Sequence, residues 1–191
     1  MGHALSPYPL ALSLDLIARP ETIQEVLFNG IRALGATGSY THARLEAELL
    51  LAHALGTTRT YLLARLGEPL DANIAAHFAA MVARRAKHEP LAYILGHQEF
   101  YGLDFIVDRR VLIPRPETEL LVERALDILE HAPWLEPAIA DIGTGSGAII
   151  ISIATRVARG RFIAVDISHE ALEIARINAE RLSVAPRIEF C

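Results

Sequence analysis

Asp141-Ile142-Gly143-Thr144-Gly145-Ser146-Gly147 lies between a short apolar run, Ala138-Ile139-Ala140, and a longer one, Ala148 to Val157. Strand, glycine turn and helix in that order let a backbone come close to a nucleotide-like ligand. Side chains in the turn would block the approach, and some of its positions call for positive φ, which glycine adopts freely. Downstream, Arg161 to Asp166 reads as a second strand. Ser168 is placed to cap a helix carrying Leu172, Ala175, Ala179 and Leu182, and Pro186 precedes a third strand, Arg187 to Phe190. The order β-α-β-α-β predicts a parallel sheet with right-handed crossovers. The helix after the turn is expected to reach about Arg159. The last residue, Cys191, follows too soon for a parallel-sheet domain to be completed. The far edge of Ala138 to Ile142 is therefore expected to be unpaired and apolar.

Upstream, Pro114 and Pro116 bracket Arg115, and Pro116 suits the first turn of a helix running to about His131. Glu117 and Glu119 favour that N-terminus electrostatically. Gln98 to Tyr101 and Leu103 to Val107 flank Gly102 as a β-hairpin, with Phe100, Tyr101 and Phe105 packing toward the core. Residues 89–113 form this hairpin linker, opened by the helix-breaking Glu89-Pro90. Before it, residues 21–88 read as a helical bundle. Thr22 and Glu25 make a capping box for a helix carrying Ile23, Leu27, Ile31 and Leu34, stopped at Gly35 or Gly38. Thr41 is expected to cap a second helix that buries Leu45, Leu49 and Ala52 and ends by Gly56. A short third helix spans Arg59 to Leu66. Asp71 caps a fourth, with Ile74, Phe78, Met81 and Val82 on one face. Residues 1–20 read as a loose arm.

The chain is 52% hydrophobic and 21% charged, enough to bury a core and too apolar for a disordered segment. A net charge of −5 argues against broad electrostatic binding of nucleic acid. Arg84, Arg85, Lys87, Arg109, Arg110 and Arg115 still offer a local basic surface. The single cysteine excludes an internal disulfide and fits a reducing compartment. Leu5 to Ile17 lacks a basic leader and is interrupted by Pro7, Pro9 and Asp15, and no apolar run is long enough to span a membrane. The expectation is a cytoplasmic protein without a membrane partner. His42 and His53 are not spaced to share a metal, and no metal site is expected.

Two cofactors compete for the glycine turn. Gly143-x-Gly145-x-x-Ala148 satisfies a loose dinucleotide pattern, with Asp166 as the ribose acid, and leaves an NAD-dependent oxidoreductase open. Asp141 weighs the other way. A pyrophosphate would be repelled by a carboxylate at the strand end, whereas S-adenosylmethionine carries an ammonium and a sulfonium and no phosphate. Asp166, at the end of the next strand, can accept ribose hydroxyls.

Pro114-Arg115-Pro116-Glu117-Thr118-Glu119, Asp141 to Gly147, Ala164-Val165-Asp166-Ile167-Ser168 and Ala175-Arg176-Ile177-Asn178-Ala179 together resemble the bacterial release-factor glutamine methyltransferases. The helical N-terminal region and Gly96-His97-Gln98-Glu99-Phe100-Tyr101-Gly102 fit the same family, and the resemblance covers about residues 21–191. It implies an α/β fold: an N-terminal helical bundle (residues 21–88) for substrate recognition, a β-hairpin linker, and in residues 114–191 the first part of a Rossmann-like class I methyltransferase domain. It implies S-adenosylmethionine as cofactor. The reaction implied is methylation of the side-chain amide nitrogen of the glutamine in the Gly-Gly-Gln motif of peptide chain release factors.

By motif position, Asp141, Ile142, Gly143, Thr144, Gly145 and Gly147 would line the cofactor, and Asp166 would hold its ribose hydroxyls. Arg115, Pro116, Glu117 and Thr118 would lie near the methionine end and the substrate entrance. The family's Asn-Pro-Pro-Tyr motif, which orients the acceptor amide, is absent from these 191 residues. No catalytic residue is therefore assigned within the chain, and the chain alone is expected to be inactive. A related N-methyltransferase acting on adenine or on a ribosomal protein shares the planar-nitrogen chemistry and stays open beside the leading reading.

Overall fold

The computed structural model describes residues 21–36 and 40–191, so the predicted arm at 1–20 and the stop at Gly38 lie outside the described residues. The chain divides into two compact units, with the boundary after Ala83.

The first unit holds helices α1 (Ile23–Gly35), α2 (Tyr40–Ala54), α3 (Arg59–Ala64) and most of α4 (Ala72–Ala86). The Thr22–Glu25 capping box forms as predicted: Glu25 N–H donates to Thr22 Oγ1, and Thr22 N–H donates to Glu25 Oε2 at 2.8 Å. Asp71 Oδ1 likewise accepts from Asn73 N–H at 2.8 Å ahead of α4. Two expectations for α2 are corrected. The helix already includes Tyr40 and Thr41, so Thr41 is not its cap. Its buried face is Ala43, Ala47, Leu50 and Leu51 rather than Leu45 and Leu49, and Leu45 is 43% exposed. Glu48 misled the periodicity. It is fully buried, its carboxylate held by Arg44 (2.8 Å) and Arg59 (2.6 Å). Burial pushes that carboxyl up, but the hydrogen bonds and charges of the two arginines outweigh burial and hold it below the ordinary range.

The second unit begins with a helix that was not predicted, α5 (Leu91–Leu95), whose N-cap position is Pro90. Helix α4 ends at Ala86, four residues earlier, and Pro90 suits the start of α5 because it needs no N–H at that position. The hairpin follows as β1 (His97–Phe100) and β2 (Leu103–Ile106), paired antiparallel through a two-residue turn with Tyr101 at φ 54° and Gly102 at φ 74°. Phe100 and Phe105 are buried, with rings edge-to-face at 6.1 Å. Each buried ring contributes about 1.5–3 kcal/mol, so the hairpin is part of the second unit's core.

Pro116–Thr118 is a 3-10 turn leading into α6 (Glu119–His131). The sheet is β3 (Ala138–Ile142), β4 (Arg161–Val165) and β5 (Ile188–Phe190), parallel in the order β3-β4-β5. Its crossovers are α7 (Ala148–Arg156) and α8 (His169–Arg181). Helix α7 ends three residues before the expected Arg159, and Arg187 belongs to a 3-10 turn rather than to β5. As expected, β3 pairs on one side only among the described residues. Ile150, Ile151, Phe162 and Ile174 are among the fully buried residues of this layer.

Candidate functional site

In the parallel register Asp141 lies beside Ala164 and Ile142 beside Val165, so β3 and β4 end together. Asp141 and Asp166 therefore stand at the C-terminal edge of neighbouring strands, where open α/β sheets bind ligands. The intervening turn hooks onto β4: Gly143 N–H and Thr144 N–H both donate to Val165 O, at 2.8 and 2.9 Å. Gly145 N–H donates to Asp166 Oδ2 at 2.9 Å, and Gly147 N–H donates to Thr144 O at 2.8 Å. Seven consecutive residues and one aspartate from the next strand thus form one locked unit.

The three glycines serve different needs. All have positive φ: 82° at Gly143, 56° at Gly145 and 79° at Gly147. A Cβ on Gly147 would fall 2.6 Å from Ile151 Cδ1 and 3.3 Å from Ala175 Cβ, so this glycine lets α7 and α8 pack beneath the turn. A Cβ on Gly143 or Gly145 would meet nothing within 4 Å. These two present bare backbone to open space, as a ligand cradle requires.

The carboxylates flank that open face. Asp141 Oδ2 accepts from Thr144 Oγ1 at 2.8 Å, and the Ile150 amide in the first turn of α7 favours its carboxylate form. Burial pushes the Asp141 carboxyl above its usual range, the hydrogen bonds pull it back in part, and the charge of Asp166 adds to the rise. Asp166 Oδ1 accepts from Ser168 N–H at 2.9 Å, so both its oxygens hold backbone, and their second lone pairs stay available for hydroxyl donors. Among the described residues neither aspartate forms a salt bridge. Two anionic groups, bare glycine backbone and no resident cation suit a cationic, hydroxyl-bearing ligand and oppose a phosphate. The donor set fits S-adenosylmethionine.

Arg115, Pro116 and Glu117 are exposed and Thr118 is half-buried. No hydrogen bond joins this block to the glycine turn, and Arg115 makes no ion pair among the described residues. Its neighbour Glu119 is more telling, since Glu119 Oε1 accepts from Tyr101 N–H at 2.9 Å and ties the hairpin tip to the start of α6. Arg156 lies over the Tyr101 ring at 5.4 Å. The expected basic surface is largely neutralised: Arg84 and Arg109 share Glu89, and Arg110 bonds Asp108 and Glu173. Sequence reading gave no role to Asn178, which is fully buried and bonds both Ile106 and Ser146. The signal was present: an asparagine on the apolar face that carries Ala171, Leu172, Ala175 and Ala179.

Two family models match, the PrmC N-terminal domain over residues 25–96 and a methyltransferase domain over residues 137–191. The release factor glutamine methyltransferase of Burkholderia pseudomallei is 51% identical over 72% of this chain. The chain belongs to the release factor glutamine methyltransferase family. Family members from Moorella thermoacetica and Koribacter versatilis are 47% and 43% identical over 87% and 88% of the chain. The chain spans 48% of the Burkholderia protein, 58% of the Moorella protein and 59% of the Koribacter protein. Among the described residues no helix is long and apolar enough to cross a membrane, and no cluster of metal-ligating side chains occurs.

Proposed function

We propose that this chain carries the methyl-donor site of a protein glutamine N-methyltransferase that acts on the Gly-Gly-Gln glutamine of peptide chain release factors. One observation carries the reading: two carboxylates without cationic partners among the described residues flank a turn whose Gly143 and Gly145 open onto free space. When bound, S-adenosylmethionine supplies an electrophilic methyl group.

The chain's own residues hold that donor. Asp141, fixed by Thr144, offers its remaining lone pairs and its charge to cationic groups. Asp166 accepts ribose hydroxyls while its Gly145 bond keeps the turn in shape. Ile142, Gly143, Thr144 and Gly145 line the donor, and Gly147 supports the turn from beneath. Arg115, Pro116, Glu117 and Thr118 mark the approach to it. An amide nitrogen is a poor nucleophile because its lone pair is delocalised, so the reaction depends on positioning and electrostatics rather than on an activated base. The reading assigns no catalytic residue within this chain, and it assigns substrate recognition to the helical residues 21–88. The acceptor sets the reaction in the cytoplasm, where translation ends.

Calorimetry on the chain tests this. S-adenosylmethionine and S-adenosylhomocysteine are expected to bind and NAD is not. Asp141→Asn and Asp166→Asn are each expected to weaken binding by about tenfold or more, the worth of a hydrogen bond to a charged group. Binding of NAD without binding of S-adenosylmethionine would overturn the reading. Co-purification of a release-factor domain bearing Gly-Gly-Gln with the chain tests the partner, and no retention would count against it.

A further inference from the structure

Helix α8 carries one polar side chain deep in the core. Asn178 is fully buried and makes three hydrogen bonds. Its Oδ1 accepts from Ile106 N–H at 2.7 Å, and its Nδ2 donates to Ile106 O and to Ser146 O, both at 3.0 Å. The amide thus pairs with both backbone groups of the last residue of β2, as a neighbouring strand would, and uses its second N–H on the glycine turn.

The Ser146 carbonyl belongs to the same peptide unit as Gly147 N–H, which donates to Thr144 O. That peptide is therefore fixed at both ends, by Thr144 and by Asn178. On the far side of the turn Asp166 fixes Gly145 N–H. What is left free is the open face of Gly143 and Gly145. The hairpin has no backbone hydrogen bond of its own to the glycine turn among the described residues, so Asn178 is the polar link between the two.

We propose that Asn178 is a positioning residue that couples the β1–β2 hairpin to the glycine turn, so that ordering of either one orders the other. The ligand arm of this inference rests on the donor-site reading above; the ligand-free arm does not. Asn178→Leu keeps the branched four-atom side chain, though a bulkier one, and removes all three bonds, and Asn178→Ala removes them with a cavity.

Amide hydrogen exchange decides the matter at groups that do not bond Asn178 themselves: Gly145 and Gly147 in the turn, and Val107, which donates to Gly96 O at the base of the hairpin. Val157 and Val184, which donate to Ile153 O and Ala179 O, serve as controls. In both variants Gly145, Gly147 and Val107 are expected to exchange about tenfold faster, as for loss of one buried hydrogen bond, with the controls unchanged. Native rates at Gly145 and Gly147 in either folded variant would overturn the coupling, as would equal acceleration of all five amides, which marks a merely structural residue. In the native chain S-adenosylhomocysteine is expected to slow exchange at Val107, and this protection is expected to vanish in Asn178→Leu. If that ligand fails to bind the native chain at all, the donor-site reading fails, and the ligand-free comparison still decides the coupling.

Discussion

Replacing each glycine of the turn by alanine separates the part of the turn that holds the fold from the part that faces a ligand. Left-handed backbone costs a side-chain-bearing residue about 1–2 kcal/mol, and this applies at all three positions. Only at Gly147 does the new methyl also collide, with Ile151 Cδ1 at 2.6 Å and Ala175 Cβ at 3.3 Å. Ile151 can swing its terminal carbon aside. Ala175 Cβ is fixed to its backbone and cannot, so overpacking adds about 1–3 kcal/mol. Gly147→Ala is therefore expected to lose about 2–5 kcal/mol, against about 1–2 kcal/mol for Gly143→Ala or Gly145→Ala. Urea unfolding followed by far-ultraviolet circular dichroism measures this. Calorimetry with S-adenosylmethionine is expected to show at least about a fivefold loss of affinity for Gly143→Ala and Gly145→Ala, since a misplaced methyl costs about 1–3 kcal/mol. Native affinity in those two variants would refute the cradle. Equal stability of all three variants would refute the packing role of Gly147.

Arg59→Ala leaves the buried Glu48 with Arg44 alone and is expected to lower the stability of the helical unit by about 1–3 kcal/mol in urea titration. Glu48 also sets a pH dependence. Its carboxyl is held below 4.5 in the fold, so its contribution is complete above 4.5 and is lost as pH falls through the lower folded value. Glu89 is held down to about 2, chiefly by its hydrogen bonds to Arg84 and with help from Arg109. Its contribution is present above 4.5 and fades as pH falls toward about 2. In Arg84→Ala the Glu89 carboxyl, followed by carbon-13 NMR titration, is expected to move back toward 4.5. Asp141 has the opposite sign. Its folded value lies above 3.8, so the native chain loses stability as pH rises through that raised value, and Asp141→Asn is expected to abolish this loss in pH-dependent urea unfolding.

The sequence showed the glycine turn more clearly than it showed the helices. The glycine turn was legible because its φ angles admit little else, and Asp141 and Asp166 because strand ends in a parallel sheet converge. The hairpin was legible from Gly102 and its alternating flanks. The buried face of α2 was misread because a glutamate counts as polar in any periodicity. Only the distant Arg59 shows that this one is inside. Helix α5 was invisible because five residues are too few for a pattern, and Pro90 reads equally as an end or a start. Asn178 was missed for the same reason as Glu48. Both are polar groups on an apolar face, each held by at least one partner distant in sequence.

The case of Asp141 decides how far the site argument reaches. A purely structural reading has it holding the Thr144 hydroxyl. An asparagine oxygen could accept that bond without the cost of burying a charge. The carboxylate does bear that cost, and it bears it beside Asp166, whose charge raises its pKa further. A half-buried carboxylate without a cationic partner among the described residues gains nothing for the fold that a neutral amide would not give. On the proposed reading the gain comes from what binds, because a cationic ligand over bare glycine backbone favours the Asp141 carboxylate. The stability expected to return in Asp141→Asn and the affinity expected to leave it are therefore two measurements of one electrostatic quantity, and they should move in opposite directions.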